Sequence, residues 1–161
     1  MEDFQRYRDE AEKALFIADH MLTVTYPLVQ DTKILLSVLL NIHKGLKLAV
    51  MSILSHELIF KRIPAYPQDF GSQLELFEAR ATRRYDITPE YIQLIRKIND
   101  VVEMHKTSPM EFTRKDKFVI CSDNYRLSSI SKDQLKDHLS KAKLFIGEMK
   151  HIVGKHERIF R

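Results

Sequence analysis

Apolar residues recur at alternating spacings of three and four through most of this chain, the pattern of helices that bury one face. Phe4, Tyr7, Ala11, Ala14, Ala18 and Met21 form the first stripe and predict a helix over residues 3–24, with three alanines that let a partner backbone come close. Pro27, after Tyr26, is expected to end it, because proline has no N–H to donate and restricts the residue before it. A second helix is predicted over residues 32–62 with Asp31 as its N-cap, about 45 Å long at about 1.5 Å per residue. Its stripe is Leu35, Leu39, Ile42, Leu46, Val50, Ile53 and Leu54. Further apolar residues between 34 and 40 predict a first half surrounded by other helices, which makes this segment the central pillar.

Pro64, Pro67 and Gly71 mark a connector. Ser72 and Glu75 then have the spacing of a capping box, predicting a short helix that buries Leu74, Phe77 and Ala81. Thr88-Pro89-Glu90 reads as an N-cap, a proline at the first helical position and an acid in the first turn. The helix that follows is expected to reach about residue 106 and to bury Tyr91, Leu94, Ile95, Ile98, Val101 and Val102. Between 117 and 129 the pattern changes. Lys117 to Cys121 and Tyr125 to Ser129 flank Ser122-Asp123-Asn124 like the arms of a short β-hairpin, which must pack on the helices to be stable. Ser131 and Gln134 open a last helix to about residue 157, with Leu135, Leu139, Ala142, Ile146, Met149 and Val153 inward. The expected architecture is a single all-α domain over residues 1–161. It is a bundle of about five helices, two long ones at the amino terminus and a long one at the carboxyl terminus, with a β-hairpin insertion near 117–129.

The length, 161 residues, suits one domain,. Cys121 is the one cysteine, which excludes an intrachain disulfide and a cysteine-based zinc cage and fits a reducing cytoplasm,. The opening MEDFQRYRDEAEKA has no apolar run of signal-peptide length. The longest apolar stretch, 34–40, falls well short of the roughly 20 residues of a bilayer span, so no membrane partner is expected.

Charge divides the chain. Residues 1–79 hold 8 Lys+Arg and 11 Asp+Glu, whereas residues 80–161 hold 18 and 11, so the carboxyl-terminal half carries the basic character. A positive field of this kind attracts RNA, a ribonucleoprotein or an acidic protein, or serves only solubility. The candidate phosphate-facing residues are Arg80, Arg83, Arg84, Arg114, Lys115, Lys117 and Arg126, with Tyr85 and Tyr125 for base stacking. Lys132, Lys136, Lys143 and Lys150 lie on one flank of the last helix, where Gly147 and Gly154, one heptad apart, suggest close approach by a neighbouring helix or a second subunit. Phe16 and Leu48 face away from their stripes and are candidates for a homodimer surface.

Seven histidines invite a metal reading, yet neither H-x-x-x-H nor H-E-x-x-H occurs,. His151 and His156 are about 140° apart around a helix. Glu148 with His151 is the single Glu-x-x-His match where a carboxylate-bridged bundle needs two. No metal and no cofactor are expected, and no catalytic triad, phosphate-cradling glycine loop or dinucleotide fingerprint is present. Glu57 falls on the core stripe of the second helix. Either it joins His43 and Lys61 in a buried polar network, or the helix end leaves the core and the carboxylate meets water.

Two long amino-terminal helices followed by shorter ones carrying Arg96 and His105 resemble the HEPN superfamily in helical order over about residues 1–107. The resemblance implies an RNase in which an arginine and a histidine four to six residues on act together on an RNA 2′-hydroxyl. Here eight residues separate Arg96 from His105, so the motif is not matched and the two side chains are turned to nearly opposite sides of the helix,. Arg96, Asn99, Asp100 and His105 are the residues such a site would use. Around FTRKDKFVICSDNYR the chain is also similar to small helical proteins of archaea, a likeness that implies no activity. The leading expectation is a non-catalytic binding or scaffold module whose basic half contacts RNA or a ribonucleoprotein. The alternatives are a HEPN-like RNase with a displaced site and a protein–protein interaction module without a nucleic-acid role.

Overall fold

The first stripe folds as a helix but runs past its expected stop. In the computed structural model, which describes residues 2–155, α1 (Asp3–His20) passes through a π-turn at Met21–Thr25 into a last helical turn, α2 (Tyr26–Val29), so the three form one rod. The Tyr26 N–H reaches back five residues to the Met21 carbonyl. This step of register carries the helix through Pro27, which has no N–H to give. The rod stops at Gln30, whose backbone is left-handed with φ 57°.

α3 (Lys33–Ile59) is the pillar. Thr32, not Asp31, holds its N-cap position; Asp31 supports the start from one residue earlier, its Oδ1 accepting the Lys33 N–H at 3.0 Å. Among the described residues it is the one helix long and apolar enough to cross a bilayer, and it runs through the middle of the bundle against α1 and α7. Leu48, expected to face outward, is buried.

The third rod is α4 (Phe70–Leu76), a π-turn at Phe77–Ala81 and α5 (Thr82–Arg84). It begins earlier than the expected capping box. Asp69, not Ser72, is the N-cap, and its Oδ2 accepts the Ser72 N–H at 2.9 Å,. α6 (Pro89–Thr107) starts as expected behind Thr88. α7 (Lys132–Gly154) starts behind Ser131, whose hydroxyl oxygen accepts the Gln134 N–H at 3.2 Å. The expected end of this helix near residue 157 lies outside the described residues.

The hairpin is a three-stranded antiparallel sheet in the order β1-β2-β3: β1 (Met110–Arg114), β2 (Lys117–Cys121) and β3 (Leu127–Ile130). The expected second arm therefore begins at Leu127, and Tyr125 sits in the turn with φ 64°. The fold is thus mostly helical with a small sheet, rather than strictly all-α. Phe118, Ile120 and Ile130 point from the sheet into a core shared with Phe4, Phe77, Phe145 and the α3 stripe. Two polar contacts pin β1 inward: Thr113 bonds Thr32 at the start of α3 at 2.6 Å, and Glu111 Oε1 lies 2.7 Å from His105 Nδ1 on α6.

Candidate nucleic-acid interface

Strand residues alternate between faces, so the core positions of the sheet fix which residues look outward. Since Phe118, Ile120 and Ile130 face the helices, the outer face consists of the rows Met110–Cys121–Leu127 and Phe112–Val119–Ser129, closed by the Arg114–Lys117 pair. Val119 and Cys121 on the central strand are buried even there, flanked by Met110, Phe112 and Leu127, which are exposed. The platform is an apolar strip with an aromatic ring in its middle row.

Both ends of the platform are cationic. Arg114 and Lys117 flank the Lys115-Asp116 turn, in which Lys115 is left-handed with φ 58°. At the opposite end Ser122 organises the second turn: its N–H donates to Arg126 O at 2.8 Å, its hydroxyl oxygen accepts the Arg126 N–H at 3.0 Å, and its carbonyl accepts the Tyr125 N–H. That loop presents Arg126 and holds Tyr125 at 87% exposure. Among the described residues, Arg114, Lys115, Lys117 and Arg126 enter no ion pair; Asp116 and Asp123 are the acids of the two turns.

No protein-family model, curated protein or solved structure matches the chain.

The other basic candidates are dispersed. Arg80 and Arg83 are exposed on the third rod and Lys136 on α7. Lys143 is 3.2 Å from Asp19 and Lys150 is 3.0 Å from Glu12, so both are engaged with α1. Arg84 and Tyr85 are bound to Glu57, which withdraws Tyr85 from the stacking role expected of it. Phe112, Met110 and Leu127 escaped the sequence reading. The signal is the period-2 run Met110-x-Phe112-x-Arg114, which follows directly on the end of α6,.

Glu57 is buried, and its network differs from the expected one. The carboxylate has Arg62 Nη1 at 3.3 Å and His56 Nδ1 at 3.5 Å from Oε1, Arg84 Nε at 2.9 Å from Oε2, and the Tyr85 hydroxyl donating to Oε1. Burial raises its pKa, but the hydrogen bonds from His56 and Tyr85 and the charges of Arg62 and Arg84 outweigh it, so the net shift is downward,. Lys61 takes part through its backbone alone. Its left-handed turn, φ 56°, folds the chain so that the Arg62 N–H bonds Glu57 O at 2.9 Å and the guanidinium returns over the carboxylate,. His43 lies about 21 Å away along the helix axis and instead places Nε2 2.9 Å from Asn99 Oδ1 on α6. Burial lowers its pKa against the contribution of that bond.

The remaining α6 candidates have separate partners. Arg96 pairs with Glu78, Asn99 with His43 and His105 with Glu111, while Asp100 is exposed. Among the described residues, no group of three or more His, Cys, Asp and Glu side chains is placed to hold a metal ion. The Glu57 cluster joins α3 to the third rod.

Proposed function

We propose that this chain is a non-catalytic binding module that takes single-stranded RNA across the outer face of its three-stranded sheet. One observation carries the reading: Phe112 stands mid-platform between cations at both turns that no carboxylate among the described residues neutralises. An exposed ring offers a stacking surface to any base, and unpaired arginine and lysine side chains gain by displacing the counterions of a phosphate backbone. The two turns are about 16 Å apart along a five-residue strand, so a short extended stretch of a nucleic acid touches both ends. The groups with hydrolytic potential elsewhere, Arg96 and His105, are held by different acids, which supports binding without cleavage.

The test is fluorescence anisotropy with a labelled single-stranded RNA titrated between about 50 and 200 mM salt. Four phosphate contacts predict a slope of about −3 in log affinity against log salt. Phe112→Ala and the Arg114→Ala/Lys117→Ala double variant should each weaken binding about tenfold, by loss of about 1–3 kcal/mol of stacking or of phosphate contacts. Arg80→Ala/Arg83→Ala should leave it unchanged. Absence of salt-sensitive binding, or binding indifferent to the sheet variants, defeats the reading, and preference for an acidic polypeptide over RNA transfers the surface to a protein partner.

A further inference from the structure

On the α1–α7 side lies a second surface that the sheet platform does not involve. α1 and α7 are antiparallel there, Asp19 meeting Lys143 and Glu12 meeting Lys150. Between the two ion pairs runs an open groove of about 320 Å³ with Leu15 and Ile146 among its lining residues. Phe16 rises from its α1 side with 72% of its surface exposed. Gly147 lies opposite on α7, and a Cβ built there meets nothing within 4 Å. Nothing among the described residues therefore requires glycine at this mid-helix position, which disfavours it,. Leu144, one turn before, is exposed as well.

The charges say what covers this face. Glu12 and Asp19 stand four residues before and three after Phe16; Lys143 and Lys150 stand four before and three after Gly147. A two-fold axis laid along the groove, parallel to both helices, brings α1 of a second copy over α7 of the first at the same height. That one operation seats Phe16 on Gly147, Glu12 beside Lys150 and Asp19 beside Lys143, and repeats each contact in reverse. The face is self-complementary: a knob between two acids matches a hole between two lysines, and the four charges sum to zero, so a copy does not repel itself. We infer that the chain forms a symmetric homodimer through the α1–α7 face, with Phe16 of each copy packed on Gly147 of the other.

The full chain in sedimentation equilibrium should then approach twice its 19.0 kDa mass. Gly147→Gln fills the hole with a good helix former in open space. It should weaken dimerisation at least about tenfold while the monomer, checked by circular dichroism and melting, stays folded. Exchanging the charges (E12K/D19K/K143E/K150E) restores every pair within a chain and within a dimer of identical copies. It sets like charges against each other in a mixed dimer, so native mass spectrometry of the exchanged and original chains together should show the two homodimers and no mixed species. A chain that stays monomeric at about 0.1 mM, a Gly147→Gln variant that dimerises like the original, or free formation of mixed dimers overturns the proposal.

Discussion

Arg84 Nε lies 2.9 Å from Glu57 Oε2 and ties the last turn of α5 to the buried end of α3. The pair lacks the alignment of a hydrogen bond, so its attraction is that of charge. Its two members live in different media: the Glu57 side chain is 1% exposed and that of Arg84 46%. Deleting either therefore has unequal consequences. Glu57→Ala frees Arg62 and Arg84, which already touch water, and should cost about 1–3 kcal/mol. The Arg62→Met/Arg84→Met double variant leaves the carboxylate buried with only Tyr85 and His56 beside it, and should cost more, about 3–5 kcal/mol. Urea unfolding of the two variants checks the order, and a costlier Glu57→Ala contradicts it.

The same cluster sets both limbs of a stability profile. The folded pKa of Glu57 is below its ordinary 4.5. Its contribution is therefore complete above about pH 4.5 and is lost as pH falls through the lower folded value. Burial, with hydrogen bonding to Glu57, pushes the Tyr85 phenol from 10.0 up to about 12. That contribution is complete below pH 10 and disappears as pH rises toward about 12,. Glu57→Gln should flatten the acid limb in chemical denaturation below about pH 4.5. In an alkaline absorbance titration, Tyr85→Phe should remove the phenol that ionises last.

How far the sequence foretold these features depends on whether local rules decided them. Thr88-Pro89 and Ser131-x-x-Gln134 start helices where expected, because a cap and its first turn are contiguous in the chain,. Pro27 misled because a π-turn, which no residue advertises, shifts the hydrogen-bond register ahead of it. β1 was missed because its inward residues, Glu111 and Thr113, are polar and find partners in His105 and Thr32, distant in sequence. Glu57 is buried rather than at a helix end that has left the core, and its neighbours, Arg84 and Tyr85, lie on another rod that periodicity along α3 cannot reveal. His43 shares Glu57's stripe but lies four turns away, where Asn99 meets it first.

His138 and His43 make the fold sensitive to mild acid. Burial holds both imidazoles below their ordinary 6.5, with the charges of Lys97 and Lys141 adding to the effect at His138. A histidine whose folded pKa is depressed favours the neutral form. It contributes stability above pH 6.5, lost as pH falls through the folded value,. His138 also lines a cavity of about 20 Å³ among Leu39, Ile98 and Ile130, room for a single water, and its Nδ1 has no protein partner among the described residues,. His138→Leu removes a buried polar atom and a titrating group together. Its melting temperature relative to the original chain should rise more at about pH 5.5 than at about pH 8; an equal change at both leaves the acid sensitivity to His43 alone.

Adding one methyl group to a helical glycine should act in opposite directions at two sites. At Gly45 on α3 the new Cβ stands 2.8 Å from Leu15 Cδ2 and 3.4 Å from Ala11 O, so α1 and α3 touch closely because position 45 has no side chain. The Ala11 carbonyl is backbone and Leu15 is buried, so the methyl is accommodated only by pushing Leu15 out toward the α1–α7 groove it lines. Gly45→Ala should therefore destabilise by about 1–3 kcal/mol through overpacking, despite alanine's better helix propensity. At Gly147 no atom of the other described elements comes within 4 Å of the new Cβ, and Gly147→Ala should stabilise the dilute monomer by about 0.5–1 kcal/mol from backbone entropy alone,. Thermal melts of the two variants side by side decide it. Stabilisation at position 45 would mean that α1 and α3 yield more readily than their close contact implies.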